Sequence, residues 1–182
     1  MGMEIGMIGG TGPAGLALAA RLAASGVKVA VGSRSAERAG EVVGQLLAQR
    51  PDVELPLVGV ANEDAVDHDV VILATPWEAS VETVLALRSA LEGRVLISMV
   101  NAIAKSGREL QALVPIRGSM ASTLQAVLPA TKVSIAFQHL PAKRLAAIEE
   151  PVEGDVFVCA DDEEAIEPTV GVVATFQPLS AA

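Results

Sequence analysis

The chain has 182 residues, 51% of them apolar, with 13 Lys+Arg against 22 Asp+Glu and a net charge of −9. That length suits one compact domain, and the negative balance without a Lys/Arg-rich stretch excludes the basic face a nucleic acid needs. There is no Tyr, which rules out the Tyr-dependent short-chain dehydrogenases, and the single Cys with two separated His, His68 and His139, cannot build a zinc centre.

In chain order, apolar runs of strand length alternate with helical patterns. Strands are predicted at Met3–Ile8, Val27–Val31, Leu55–Val60, Asp69–Ala74, Arg94–Met99, Lys132–Ala136 and Asp155–Cys159. Helices are predicted at Pro13–Ser25, Ala36–Gln49, Glu78–Leu91, Ser119–Leu128 and Glu163–Ala174, with Pro168 an obstacle in the last. Continuously apolar strands are covered on both faces. The expectation is therefore an α/β fold, a Rossmann-like doubly wound, mostly parallel sheet with helices on both faces. Residues 101–118 carry no clear period and read as a functional or mobile loop, or as a solvated connection with a helical turn at Arg108–Leu113.

Mean hydropathy is +0.47, yet charges interrupt every apolar stretch before it reaches the ~18 residues of a membrane span. The first residues carry Glu4 where a secretory leader has positive charge, and Gly6 stands where myristoylation expects Ser or Thr. The expected setting is cytoplasmic, with neither membrane nor nucleic acid as partner.

The sharpest motif is Gly9-Gly10-Thr11-Gly12-Pro13-Ala14-Gly15, directly after the first strand. Gly10, Gly12 and Gly15 fit G-x-G-x-x-G: one glycine for the tight turn, one for approach of a pyrophosphate to the backbone, one for close helix–strand packing. Pro13 suits the first helical position, and the helix start faces the diphosphate. NAD-binding folds usually end the second strand in an acid that takes the ribose hydroxyls. Here the sequence is Val31-Gly32-Ser33-Arg34-Ser35, with Arg38 one turn on. A hydroxyl and a forked cation fit a 2′-phosphate, so NADP is the expected dinucleotide. Alternatively, Ser35 caps the helix while Arg34 and Arg38 are merely solvated.

These strings, with Thr75-Pro76-Trp77-Glu78, Gly118-Ser119, Ala136-Phe137, Pro141-Ala142 and the run from Asp155 to Ala165, resemble the NADPH-dependent reductases of coenzyme F420, a deazaflavin, over nearly the whole chain. The resemblance implies an oxidoreductase passing a hydride between NADP(H) and F420, with no catalytic side chain beyond ring alignment, no metal, and a homodimeric assembly. It also implies NADP contacts at Thr11, Gly12, Pro13 and Ala14, at Ser33, Arg34 and Arg38, and at Trp77, Val81, Asn101 and Ala142. Gly10, Gly15 and Thr75 complete that set. Gln138 and Leu140 would face the deazaflavin. Gln138 is a departure, because the family tends to have His there; His139 follows one place later and reads as a neighbouring loop residue. A second departure is the ending: family members continue past the stretch resembling Phe176-Gln177-Pro178-Leu179, so residues 1–182 are expected to form a single NADP-binding domain with the extension largely absent. An exposed apolar face would follow.

Lys105, Arg108, Lys143 and Arg144 are the candidate basic rim for the anionic tail of the deazaflavin. Two other readings stay open: an NADPH-dependent reductase of an imine, flavin or ferric chelate, and a non-catalytic NADP-binding sensor or subunit.

Overall fold

A computed structural model describes residues 2–176 and 180–181. The elements are β1 (Glu4–Ile8), α1 (Pro13–Ala24), β2 (Lys28–Ser33), α2 (Ala36–Ala48), β3 (Leu57–Ala61), α3 (Asn62–Ala65), β4 (Val70–Leu73) and α4 (Trp77–Ala86). They continue with β5 (Val95–Ser98), β6 (Ile103–Ser106), β7 (Glu109–Ala112), α5 (Met120–Val127), β8 (Lys132–Ile135), α6 (Ala142–Ala146), β9 (Asp155–Val156), β10 (Cys159–Ala160), a 3₁₀ turn (Glu163–Ala165), α7 (Ile166–Val173) and β11 (Ser180–Ala181).

Seven strands form one sheet in the order β10-β8-β5-β4-β1-β2-β3, parallel except for β10, which runs antiparallel to β8. This is the doubly wound arrangement expected. Its inner strands are buried on both faces because alternate residues feed two cores, while the edge strands β3 and β10 stay partly exposed. Ile5, Met7, Val29, Val31, Ile72 and Ile97 join one cluster with α1 and α7, while Ile8, Val71, Leu73 and Leu96 join another with α4 and α5. Strand order reverses between β1 and β4, and such a switch point opens a crevice at the carboxyl ends of the strands.

Three expectations need correction. Residues 101–118 contain no helical turn at Arg108–Leu113; β6 and β7 pair as an antiparallel hairpin, with Gly107 at φ +62° in its two-residue turn. All four residues of β7 are exposed, so no apolar alternation marks the strand. The run Asp155–Cys159 splits because its two halves have different partners, β11 for Asp155–Val156 and β8 for Cys159–Ala160. Helix α4 stops at Ala86, and Leu87 through Leu91 continue as turns whose N–H groups reach back three residues, keeping Leu91 buried. Pro168 is harmless, since it lies in the first turn of α7, where its missing N–H has no helical partner to lose. Residues 177–179 of the stretch Phe176-Gln177-Pro178-Leu179 lie outside the described residues.

Arg21 locks the connection after β8 onto α1. Its guanidinium, only 7% exposed, donates to the carbonyls of Arg144, Leu145, Ala147 and Glu150. Burial pushes its pKa down, opposed by the nearby Glu149 and Glu150. Charged hydrogen bonds of this kind are the strong ones, so Arg21→Ala is expected to destabilise the fold by about 2 kcal/mol. Chemical denaturation reads that loss, and an unchanged midpoint would show the clamp to be idle.

Candidate dinucleotide and acceptor site

The glycine turn shows why each of its residues is small. Gly9 sits at φ +68°, where a side chain is strained, and its N–H donates to Asn62 Oδ1 at 3.0 Å. Gly10 donates to the Gly32 carbonyl at 2.9 Å, and a Cβ there would lie 2.9 Å from the Met7 side chain. At Gly15 a Cβ would come within 2.9 Å of Ala74 Cβ and 3.0 Å of Gly10 Cα, so this glycine lets α1 lie against the sheet. A Cβ at Gly12 would meet nothing within 4 Å. The space in front of Gly12 is where another molecule can approach the backbone.

Gly12 caps α1 without a side-chain hydrogen bond, Pro13 follows at the first position, and no acid occupies the first turn. The N–H groups of Ala14 and Gly15 therefore have no helical acceptor and no competing carboxylate. An anion is the natural partner there. Thr11 is half-buried between the glycines.

Asn62 was not foreseen. It is buried on the four-residue α3, which presses on the sheet where a Cβ at Gly6 would be 1.6 Å from the Ala65 carbonyl oxygen and one at Gly32 would be 2.8 Å from Asn62 Oδ1. Gly6 and Gly32 are the sequence traces of that close approach, but neither points to Asn62 without the fold.

At the end of β2, Ser33 is buried while Arg34 and Arg38 are exposed. Ser35 does cap α2, accepting the Arg38 N–H at 3.3 Å. The cap uses only the backbone of Arg38, so it leaves the two arginine side chains available for an anion. The ion pairs found among the described residues are Lys28–Glu4, Arg50–Glu149, Arg94–Asp67 and Lys132–Glu164. They gather at the end of the sheet where β1, β2, β5 and β8 begin. No described carboxylate pairs with Arg34 or Arg38 at the opposite edge.

That same edge holds the remaining candidates. Among the described residues, four buried side-chain polar atoms lack a hydrogen-bond partner: Thr75 Oγ1, Trp77 Nε1, Gln138 Oε1 and Arg50 Nε. The first three all follow carboxyl ends of strands, β4 for Thr75 and Trp77 and β8 for Gln138. An orphaned buried polar atom costs roughly 1–3 kcal/mol, so three on one edge make this edge the candidate ligand site. Thr75 also lies against Gly9, since a Cβ at Gly9 would be 2.5 Å from Thr75 Cγ2, which places it in the crevice between β1 and β4. Trp77 opens α4, packs on the second core with its ring, and has half-buried Val81 one turn along the same face.

Gln138 is aimed by unusual backbone. The fully buried Phe137 before it has φ +67°, the one described non-glycine residue with positive φ, and its ring packs on Phe176 at 5.6 Å. Such a conformation costs of order 1–3 kcal/mol and persists where surrounding structure enforces it. The Asn101 side-chain amide, just beyond β5, donates to the Gln138 carbonyl and ties the two loops together. Leu140 is half-buried against the first core, and Ala142 is half-buried at the start of α6.

The proposed basic rim is dispersed. Arg108 is exposed in the hairpin turn, whereas Lys143 and Arg144 are exposed on α6, whose end is held by Arg21 in the last turns of α1. The side chain of Lys105 lies outside the described residues.

An open helix start behind a glycine turn, at the switch point of a doubly wound sheet, defines a Rossmann-type dinucleotide-binding domain. Residues 4–102 match the family described as NADP oxidoreductase coenzyme F420-dependent, and the chain belongs to that family. It is 37% identical over 169 residues to the F420-dependent NADP reductase of Methanocaldococcus jannaschii, covering 90% of this chain and 75% of that protein. With the F420-dependent NADP reductase of Methanothermobacter thermautotrophicus it shares 34% identity over 172 residues, 92% of this chain and 74% of the relative. The fold also matches a crystal structure of a candidate F420 dependent NADP-reductase from Arthrobacter sp. FB24, with a TM-score of 0.79 and 22% identity over 99% of this chain and 84% of that one.

Proposed function

We propose that the chain is an oxidoreductase that exchanges a hydride between NADP(H) and coenzyme F420. The observation that carries this reading is an intact nucleotide edge on a chain 37% identical, over 90% of its length, to an F420-dependent NADP reductase. When bound, the two ligands supply the chemistry between them, a hydride passing between C4 of the nicotinamide and C5 of the deazaflavin.

The protein's part is binding and alignment. Gly10, Thr11, Gly12, Pro13, Ala14 and Gly15 cradle the diphosphate on backbone N–H groups. Ser33, Arg34 and Arg38 hold the 2′-phosphate. Thr75, Trp77, Val81, Asn101 and Ala142 border the nicotinamide half, with Thr75 Oγ1 and Trp77 Nε1 supplying hydrogen bonds from positions where neither has a protein partner. Gln138 and Leu140 face the deazaflavin, and Gln138 Oε1 accepts a hydrogen bond from a ring N–H of it. A hydride transfer between stacked rings needs no side-chain acid, which fits a chain without Tyr.

The exposed side chains of Leu110, Val114 and Ile116, on β7 and the segment after it, support a homodimer, because scattered exposure is common but three large apolar residues within seven positions favour a covering surface. The described helices include none long and apolar enough to cross a membrane. The same reading assigns the reaction to the cytoplasm, where reduced nicotinamide donors are maintained.

An anaerobic assay separates the acceptors. Mixing NADPH, oxidised F420 and the protein is expected to bleach the visible absorbance of the deazaflavin catalytically, with far less turnover on free flavin or a cyclic imine. Tight NADPH binding with turnover only on flavin or imine would replace F420 as the acceptor, and binding with no turnover on any would leave a sensor.

A further inference from the structure

Beside Gln138 stands an aromatic pair to which none of the roles above is given. Phe157 is 59% exposed, and its ring lies 5.7 Å from the ring of His139 at an interplanar angle of 58°. His139 Nε2 donates to the Asp155 carbonyl at 2.9 Å, so the imidazole is fixed from behind by the strand that leads into Phe157. Register gives the location: Cys159 is opposite Ile135 and Ala160 opposite Ser134, so two residues further back Phe157 reaches the level of Phe137, just past the carboxyl end of β8. The ring therefore stands on the ligand edge, on the far side of Gln138 from the crevice at β1 and β4.

We propose that Phe157, braced by His139, is a wall against which the planar ring of the acceptor packs. The inference rests on the hydride-exchange reading and adds a contact residue to it. Three features favour a planar acceptor over plain solvent exposure. The remaining Phe residues, Phe137 and Phe176, are buried against each other, so Phe157 is the phenylalanine presented outward. Its ring rests against His139, which is itself hydrogen-bonded to the Asp155 carbonyl, so one side of the ring has a fixed neighbour while the rest is open to a ligand. By the register of β10 on β8 it stands past the strand end that carries Gln138 and Leu140, so it offers an apolar face on the side where the acceptor ring is proposed to lie.

The test is a fluorescence titration of the deazaflavin, whose emission is quenched on stacking, with the protein loaded with NADP⁺ and without it. Phe157→Ala is expected to weaken F420 binding about tenfold and to leave NADP⁺ binding within about twofold of wild type, while Phe157→Trp keeps both. A deazaflavin without the anionic tail is expected to suffer the same loss, since the contact is to the ring. Because the side chain is largely exposed, the thermal midpoint of Phe157→Ala stays near that of wild type. Equal F420 binding by wild type and Phe157→Ala would overturn the wall alone, as would a loss confined to the tailed form or shared equally by NADP⁺. Unchanged F420 binding together with a smaller molecular mass by light scattering would show that a second copy covers Phe157 instead. Failure of the wild type itself to quench the deazaflavin would remove the F420 reading and the wall with it.

Discussion

Gly12→Val is expected to fold normally and to lose NADPH affinity by about 10³-fold, whereas Gly15→Val keeps an open turn and loses stability. The two glycines belong to one motif but face opposite surroundings. At Gly12 the φ of −74° suits any residue and a new Cβ meets no protein atom within 4 Å, so the added isopropyl group projects into the space the diphosphate needs. Losing two backbone hydrogen bonds to a charged group, at roughly 2 kcal/mol each, accounts for about 4 kcal/mol and hence the thousandfold loss. At Gly15 the Cβ would lie 2.9 to 3.1 Å from Ala74 and Gly10, where overpacking costs about 1–3 kcal/mol. For a chain of this size that lowers the melting temperature by roughly 2–12 °C. Isothermal titration and a thermal melt on both variants separate the effects. Undiminished NADPH affinity in folded Gly12→Val would place the dinucleotide elsewhere.

The second large effect concerns the choice of dinucleotide. Arg34→Ala is expected to weaken NADPH about 100-fold and NADH less than threefold, because a guanidinium contact to a 2′-phosphate is made with NADPH alone. The structure strengthens the case in one respect that the sequence did not offer. The described ion pairs lie at the other end of the sheet, so Arg34 does not have to abandon a carboxylate in order to bind a phosphate. KM values for the two nucleotides, measured for wild type and variant, decide it. Equal losses for both would return Arg34 to a solvated surface residue, with only the Ser35 cap meaningful at that turn.

What the sequence disclosed follows from how local each signal is. Strands β1, β4 and β5 were readable because burial on both faces leaves a nearly continuous apolar run, and β2 and β8 because their apolar residues still dominate around Lys28 and around Lys132 and Ser134. The glycine turn was readable because its spacing is itself the geometry. The hairpin of β6 and β7 was not, since a strand exposed along its length has no alternation to detect. The split between β9 and β10 depends on two distant partners, β11 and β8. Two site features are likewise long-range: the Asn62 side chain reaches Gly9 across 53 residues, and the left-handed backbone of Phe137 occurs at a residue whose ring packs on the distant Phe176. Neither residue type at those positions announces its role. Phe157 shows the same limit from the other side, because its exposure on the ligand edge follows only from the register of β10 on β8.

The central claim is that the chain aligns two rings and contributes no proton relay to the transfer between them. Isotope tracing tests it most directly: NADPH carrying deuterium at the transferable C4 position is supplied anaerobically with oxidised F420 in ordinary water, and the reduced deazaflavin is examined by NMR. The account predicts deuterium at C5 of the product in step with NADPH consumed, with no dilution by solvent hydrogen. Hydrogen from water at C5, or no reduction of F420 by a protein that binds NADPH, would contradict it.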